Sequence, residues 1–241
     1  RNRTITMINT LLLTGQTTHD WQRSAPFVRD LLAGSGRFEV TMTTDPSAAL
    51  EDEQSLAGYD LLFSDYNGPM WTDEARVNFE NAVAGGTGLV ILHAADNAFA
   101  GWVEYEKMVG LLWRTGTGHG EFHEFEVKIT DREHPITRGI DDFKTWDELY
   151  HRLVHMHGVD YHTLATAYSA ADKGGSGRDE PMMVTTQYGA GRVYHHVLGH
   201  VWQGDPNGAY KGASMIAFEN PSFQKTLLRG SEWAATRDVT L

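Results

Sequence analysis

Three histidines in this sequence stand where apolar runs end. His93 closes Leu89–Leu92, His200 follows Val197-Leu198-Gly199, and His19 lies in the loop Gly15–Trp21 after Ile5–Leu13. Imidazole titrates near neutrality and is the commonest metal ligand. Three imidazoles and one carboxylate suit Zn²⁺ or a similar divalent ion with a position left open for substrate. The same groups equally suit a metal-free acid–base site. Glu148 or Asp147 would supply the carboxylate, and Asp20 or Asp147 would orient a histidine from behind. The plainer reading of each histidine is a strand end bonded to a loop carbonyl.

Other groups compete for a role. His119 and His123 lie in the glycine-rich stretch Trp113–His123, where the glycines allow an approach to the same edge. His155 and His157 would share a face on a strand and read as a solvent-facing pair. His195 and His196 are adjacent and must point to opposite faces, so at most one can join the His200 side. Glu148 and His151 have ExxH spacing, but in one copy and without a helical pattern. Ser176 in GGSGR is not a GxSxG elbow. Trp21, Trp71 and Trp113 offer flat faces for a sugar ring, although a core position is the commoner use of tryptophan.

The elements that must position these groups follow from pattern. Ile5–Leu13, Phe38–Thr44, Asp60–Tyr66 and Leu89–Leu92 read as strands. Ser24-Ala25-Pro26 reads as a helix start, with Pro26 in the first turn and Gly34 and Gly36 at the stop. Asp45-Pro46 reads as a turn. Thr72 caps a helix to about Ala84 with Ala75, Phe79 and Val83 on one face. The alternation of strand and helix predicts an α/β fold with a mainly parallel sheet and right-handed crossovers. In such a sheet ligands bind beyond the carboxyl ends of the strands, where His19 and His93 fall. Phe99–Leu112 reads as a helix. Phe122–Thr130 and Thr163–Ser169 read as strands, Met182–Tyr188 and Arg192–Leu198 as a hairpin, and Phe143–His151 carries Trp146-Asp147-Glu148-Leu149-Tyr150. Asn220-Pro221 opens a last helix to about Ala235.

The 241 residues can bury a full core, and one domain over 1–241 is expected. A net charge of −12 argues against nucleic acid and anionic membranes as partners. No apolar run nears the roughly 20 residues of a bilayer span. There is no cysteine, so no disulfide, thiolate metal site or cysteine nucleophile exists. No glycine-rich nucleotide motif lies between a strand and a helix, so no nucleotide cofactor is expected. The start Arg1-Asn2-Arg3 leaves cytoplasm and periplasm both open.

Several stretches together resemble the ThuA-like trehalose-utilisation family. They are His19-Asp20-Trp21, GGTGLVILHAADNAF (85–99), the loop 113–120, HPITRG (134–139), DELY (147–150), EPM (180–182), GAGRVYHHVLGH (189–200) and LLRGSEWAA (227–235). The resemblance implies a flavodoxin-like three-layer sandwich related to class I glutamine amidotransferases, with antiparallel strands added in the C-terminal half. It puts His93 near the turn where those enzymes carry a catalytic cysteine, and His200 near their late-strand histidine. It also implies a role in disaccharide catabolism, on 3-keto-glycosides made by a partner sugar 3-dehydrogenase.

The resulting expectation is an enzyme acting on a sugar, by elimination or net hydrolysis. His93, Glu148, His200 and Asp147 would be catalytic, and His19, His93, His200 and Glu148 the ligands of a divalent metal, zinc first. Asp20, Trp21, Trp71, Trp113 and His119 would contact substrate. The competing expectations are a sugar-binding or regulatory module without turnover and a structural partner of an oxidoreductase. A homo-oligomer is compatible with all three.

Overall fold

A computed structural model describes residues 7–204 and 208–241. Arg1–Arg3 and the first two residues of the expected strand Ile5–Leu13 lie outside them. The first half contains β1 (Ile8–Leu13), α1 (Trp21–Gly34), β2 (Phe38–Thr43), α2 (Pro46–Glu51), α3 (Glu53–Leu56), β3 (Leu61–Ser64), α4 (Asp73–Ala84) and β4 (Gly88–Leu92). After it come α5 (Val103–Val109), β5 (Leu111–Leu112), β6 (Gly118–His119), β7 (His123–Ile129), β8 (Phe143–Asp147), β9 (Tyr150–His151) and β10 (Val154–His155). The chain then forms β11 (His162–Ser169), β12 (Arg178–Tyr188), β13 (Gly191–His196) and α6 (Pro221–Thr236).

One sheet of nine strands runs in the order β2-β1-β3-β4-β13-β12-β11-β7-β8. The five strands from β2 to β13 are mutually parallel. The four beyond β13 are antiparallel to their neighbours. Period-2 side chains of β1 feed two cores: Ile8 and Leu12 pack with α1 and α6, Leu11 and Leu13 with α4 and α5. The result is an α/β three-layer sandwich. Gly230 lets α6 lie on β13, because a Cβ there would sit 1.9 Å from Cε1 of Tyr194. No helix among the described residues is long and apolar enough to cross a membrane.

Three expected elements differ. Helix α1 begins at Trp21, so Pro26 is its sixth residue. The donor that Pro26 lacks would have met the carbonyl of Gln22, which lies on the exposed side where water can serve it. At Asp45-Pro46 the chain enters α2, because the Asp45 side chain accepts the N–H of Ala48 and Pro46 takes a first-turn position. Helix α5 is shorter than 99–112, since Gly110 at φ +77 ends it and Leu111–Leu112 pairs with β10.

Candidate functional site

His19, His93 and His200 come together at the carboxyl edge of the parallel strands. His93 follows β4 directly and takes φ +43, a left-handed conformation for a residue with a Cβ. Such strain clusters where a side chain must be aimed. Its Nδ1 donates to the carbonyl of Val197 at 2.6 Å, which leaves the Nε2 lone pair free. Gly199, at φ +143, allows the chain after β13 to pass: a Cβ there would meet Cβ of His93 at 3.1 Å. His200 then turns its Nδ1 to within 3.0 Å of Nε2 of His19 and 3.0 Å of Oε2 of Glu148.

The carboxylates divide the work of holding this arrangement. Strand β8 is the sheet's outer strand, with β7, β11 and β12 between it and β13. The sheet nevertheless brings Asp147, at the end of β8, against Gly199 and His200. The buried Asp147 carboxylate accepts the backbone N–H of Gly199 at 2.9 Å, of His200 at 3.1 Å and of Glu148 at 2.8 Å. It thus fixes the backbone of His200, whereas an imidazole partner was expected. Glu148, the next residue, points its carboxylate at the His200 ring.

Burial first, then the neighbouring His200, pushes the His19 imidazole down to about 3. Burial and the two other histidines hold His93 well below its ordinary value. Both rings are therefore neutral at physiological pH. Burial raises Glu148, but the hydrogen bond and charge of His200, with His119 and His19, outweigh it and leave a carboxylate below its usual range. Burial pushes Asp147 well up against the pull of its three N–H donors.

This set fits a divalent metal. One ligand atom from each of His19, His93, Glu148 and His200 lies within 4.8 Å of all the others. Nε2 of His93 and Nε2 of His200 are buried without a hydrogen-bond partner. Orphaned imidazole nitrogens beside a carboxylate match the donors of zinc and related ions.

A cleft of about 450 Å³ opens onto the cluster, lined on its polar side by Thr18, His19, Asn97, His119 and Glu148. Trp113, Tyr150, Trp202 and Tyr210 form aromatic walls. His93 and His200 lie behind this lining, and Tyr150 stacks on His93 with ring centroids 4.2 Å apart. Nε2 of His119 stands 3.6 Å from Glu148.

Some expected substrate contacts fall elsewhere. Trp71 is buried among Tyr66, Phe79, Phe99 and Trp102, because the loop after β3 folds inward over α4. Trp21 sits in the first turn of α1 and does not line the cleft. Asp20 is engaged by Arg23 at 2.7 Å rather than by a histidine. His123 bonds the carbonyl of Glu121, His155 that of Val159, and His157 the buried Glu106. His195 pairs with Asp96 at 3.3 Å and is not a member of the His200 cluster. Thr18, Asn97, Tyr150, Trp202 and Tyr210 were not singled out from sequence. Tyr150 and Asn97 had a signal, lying inside the stretches 147–150 and 85–99.

His196 gives this region a pH dependence. Burial pushes its imidazole down to about 4, between the carbonyl of Leu198 and the hydroxyl of Thr226. An unfolded histidine titrates near 6.5, so its stabilising contribution is complete above that pH and is lost as pH falls toward 4. The loss is about 1.4 kcal/mol per pH unit. Burial raises Asp65 to about 7, which acts in the opposite sense between about 4 and 7. Urea unfolding of metal-free protein at pH 7.5 and 5 isolates the histidine by comparison with His196→Asn. The variant is expected to lose about 2 kcal/mol less than the parent over that range; equal losses would refute a neutral, buried His196.

The fold and the cluster define an α/β three-layer sandwich that gathers three histidines and a carboxylate at the carboxyl edge of its parallel strands. The ThuA family model, described as trehalose utilisation, matches residues 9–234, and the chain belongs to that family. A ThuA-like protein from Parabacteroides merdae ATCC 43184 is 35% identical, with a TM-score of 0.86 over 98% of this chain and 92% of its own. A second, from Bacteroides uniformis ATCC 8492, shares the fold at 19% identity and a TM-score of 0.73, over 99% of this chain and 95% of its own. A cytoplasmic protein of Salmonella typhimurium does so at 13% identity and 0.64, over 93% and 98%. No curated protein matches the chain. Family membership supports a role in carbohydrate utilisation.

Proposed function

We propose that this protein is a metal-dependent enzyme that opens a glycosidic bond of a disaccharide or 3-keto-glycoside by elimination or net hydrolysis. The observation that supports this most is the convergence of His19, His93, Glu148 and His200 at the foot of an aromatic-walled cleft. Sugar rings present flat C–H faces to aromatic side chains, and Trp113, Trp202 and Tyr210 supply them. Bound by the cluster, a divalent ion, zinc in the first instance, would supply Lewis-acid polarisation of a carbonyl oxygen.

The chain's own groups would do the rest. Glu148, held as a carboxylate at the cleft face, takes the C2 proton beside a C3 carbonyl. The electron pair forms the C1–C2 double bond as the C1–O bond breaks. His119, across from Glu148, returns a proton to the leaving oxygen. Addition of water to the product completes a net hydrolysis. Asp147 keeps His200 in place through its backbone. A sugar 3-dehydrogenase would supply the keto substrate.

The test is incubation of zinc-loaded protein with a 3-keto-disaccharide, with products followed by NMR, beside Glu148→Gln. Turnover by the parent and a fall of about 10²-fold or more in the variant are expected. Saturable sugar binding with no turnover would replace this reading with a binding module.

A further inference from the structure

The other end of β13 carries a second cleft, of about 460 Å³, that the site above does not use. Arg192, at the start of β13, and Arg237, just past α6, face it together with Trp233 of the last turn of α6 and Thr185 of β12. Arg192 donates its Nε to the carbonyl of Trp233 and one terminal nitrogen to that of Ala235, each at 3.0 Å. It thereby caps the helix and keeps its other terminal nitrogen uncommitted. The guanidinium of Arg237 has no hydrogen-bond or ion-pair partner among the described residues.

The backbone of Arg237 is the less expected feature. It stands at φ +73, ψ −30, at a helix end where glycine is the ordinary occupant. A side chain held at that cost is a pointer to function. Helix capping explains Arg192 but not Arg237. The two cations also repel each other: burial, then the charge of Arg237, lowers the pKa of Arg192. The nearby acids do not neutralise the pair by contact. Asp160 lines the cleft without bonding either arginine, Asp238 follows Arg237, and Asp131 is held by His162 at 2.7 Å. Asp238 acts on Arg192 through space, but no carboxylate among the described residues contacts either guanidinium.

We propose that this cleft binds a small anionic ligand, with its phosphate or carboxylate group between Arg192 and Arg237 and its ring against Trp233. Guanidinium forks match both oxyanions, and an indole face suits a ring. The site lies at the opposite edge of the sheet from His200, so its occupant is distinct from the proposed substrate.

The test uses calorimetric titration with inorganic phosphate, glucose 6-phosphate and glucuronate, with glucose as the neutral control. The parent is expected to bind glucose 6-phosphate or glucuronate saturably and glucose at least tenfold more weakly. Which of the two binds better identifies the oxyanion. Arg237→Gly is expected to weaken that binding at least tenfold while raising the ligand-free Tm by about 2–4 °C, as the backbone strain is released. A purely structural Arg237 would not couple a gain in Tm to a loss of anion binding. Absence of saturable anion binding by the parent, binding of glucose equal to that of the anions, or unchanged affinity in Arg237→Gly would overturn the proposal.

Discussion

Asp147→Ala is expected to lower the free energy of unfolding by about 3–5 kcal/mol, because it strands three buried backbone donors at once. Those donors, of Glu148, Gly199 and His200, now converge on one carboxylate. Each buried N–H left without a partner costs about 1–3 kcal/mol, and water entering the vacated space recovers part of the sum. Asp147→Asn keeps one acceptor oxygen and should lose about half as much. Urea unfolding at pH 7.5, with matched m-values, measures both. A loss below about 1 kcal/mol in the alanine variant would show that the carboxylate does not hold the chain after β13.

His93→Ala is expected to reduce divalent-metal affinity by about 100-fold or more. Removal of an outer partner of a metal ligand already costs 10- to 100-fold, and a ligand itself should cost no less. His93 is the most informative member to remove. It lies behind the cleft lining, so its loss removes no lining side chain, only the ring on which Tyr150 stacks. Its Nε2 is buried without a partner, so no other bond of that nitrogen is broken. Competition titration against a chromophoric chelator gives the affinity, and His123→Ala, outside the cluster, serves as control. Equal zinc affinity in His93→Ala and the parent would remove His93 from the proposed ligand set.

The parts of this site that could be read from sequence are those that strand order dictates. His19, His93 and His200 each follow a strand of the parallel set, and parallel strands deliver their ends to one edge. Glu148 was nameable as a carboxylate, but the path that brings it there was not. It depends on β8 closing back across three antiparallel strands onto the end of β13, a tertiary event with no local pattern. Trp71 shows the reverse failure. It also follows a strand at that edge, yet it faces the aromatic core, and chain position does not fix side-chain direction in a loop. Trp202 and Tyr210 lie in a stretch without periodicity, where pattern is silent. The early start of α1 was hidden by Pro26, which reads as a first-turn residue wherever it is found.

The wide separation of the four cluster residues bears on how the molecule folds. His19 meets His200 across 181 positions, and His93 meets Val197 across 104. Contacts that close such long loops are entropically late, and parallel pairing is intrinsically slow. Neither half of the chain contains the set, since His19 and His93 come from one and Glu148 and His200 from the other. A nascent or truncated chain that lacks β13 therefore presents scattered histidines with no common focus. Acquisition of a high-affinity ion would report the last stage of refolding, after the sheet has closed, and would lag behind the return of helical signal.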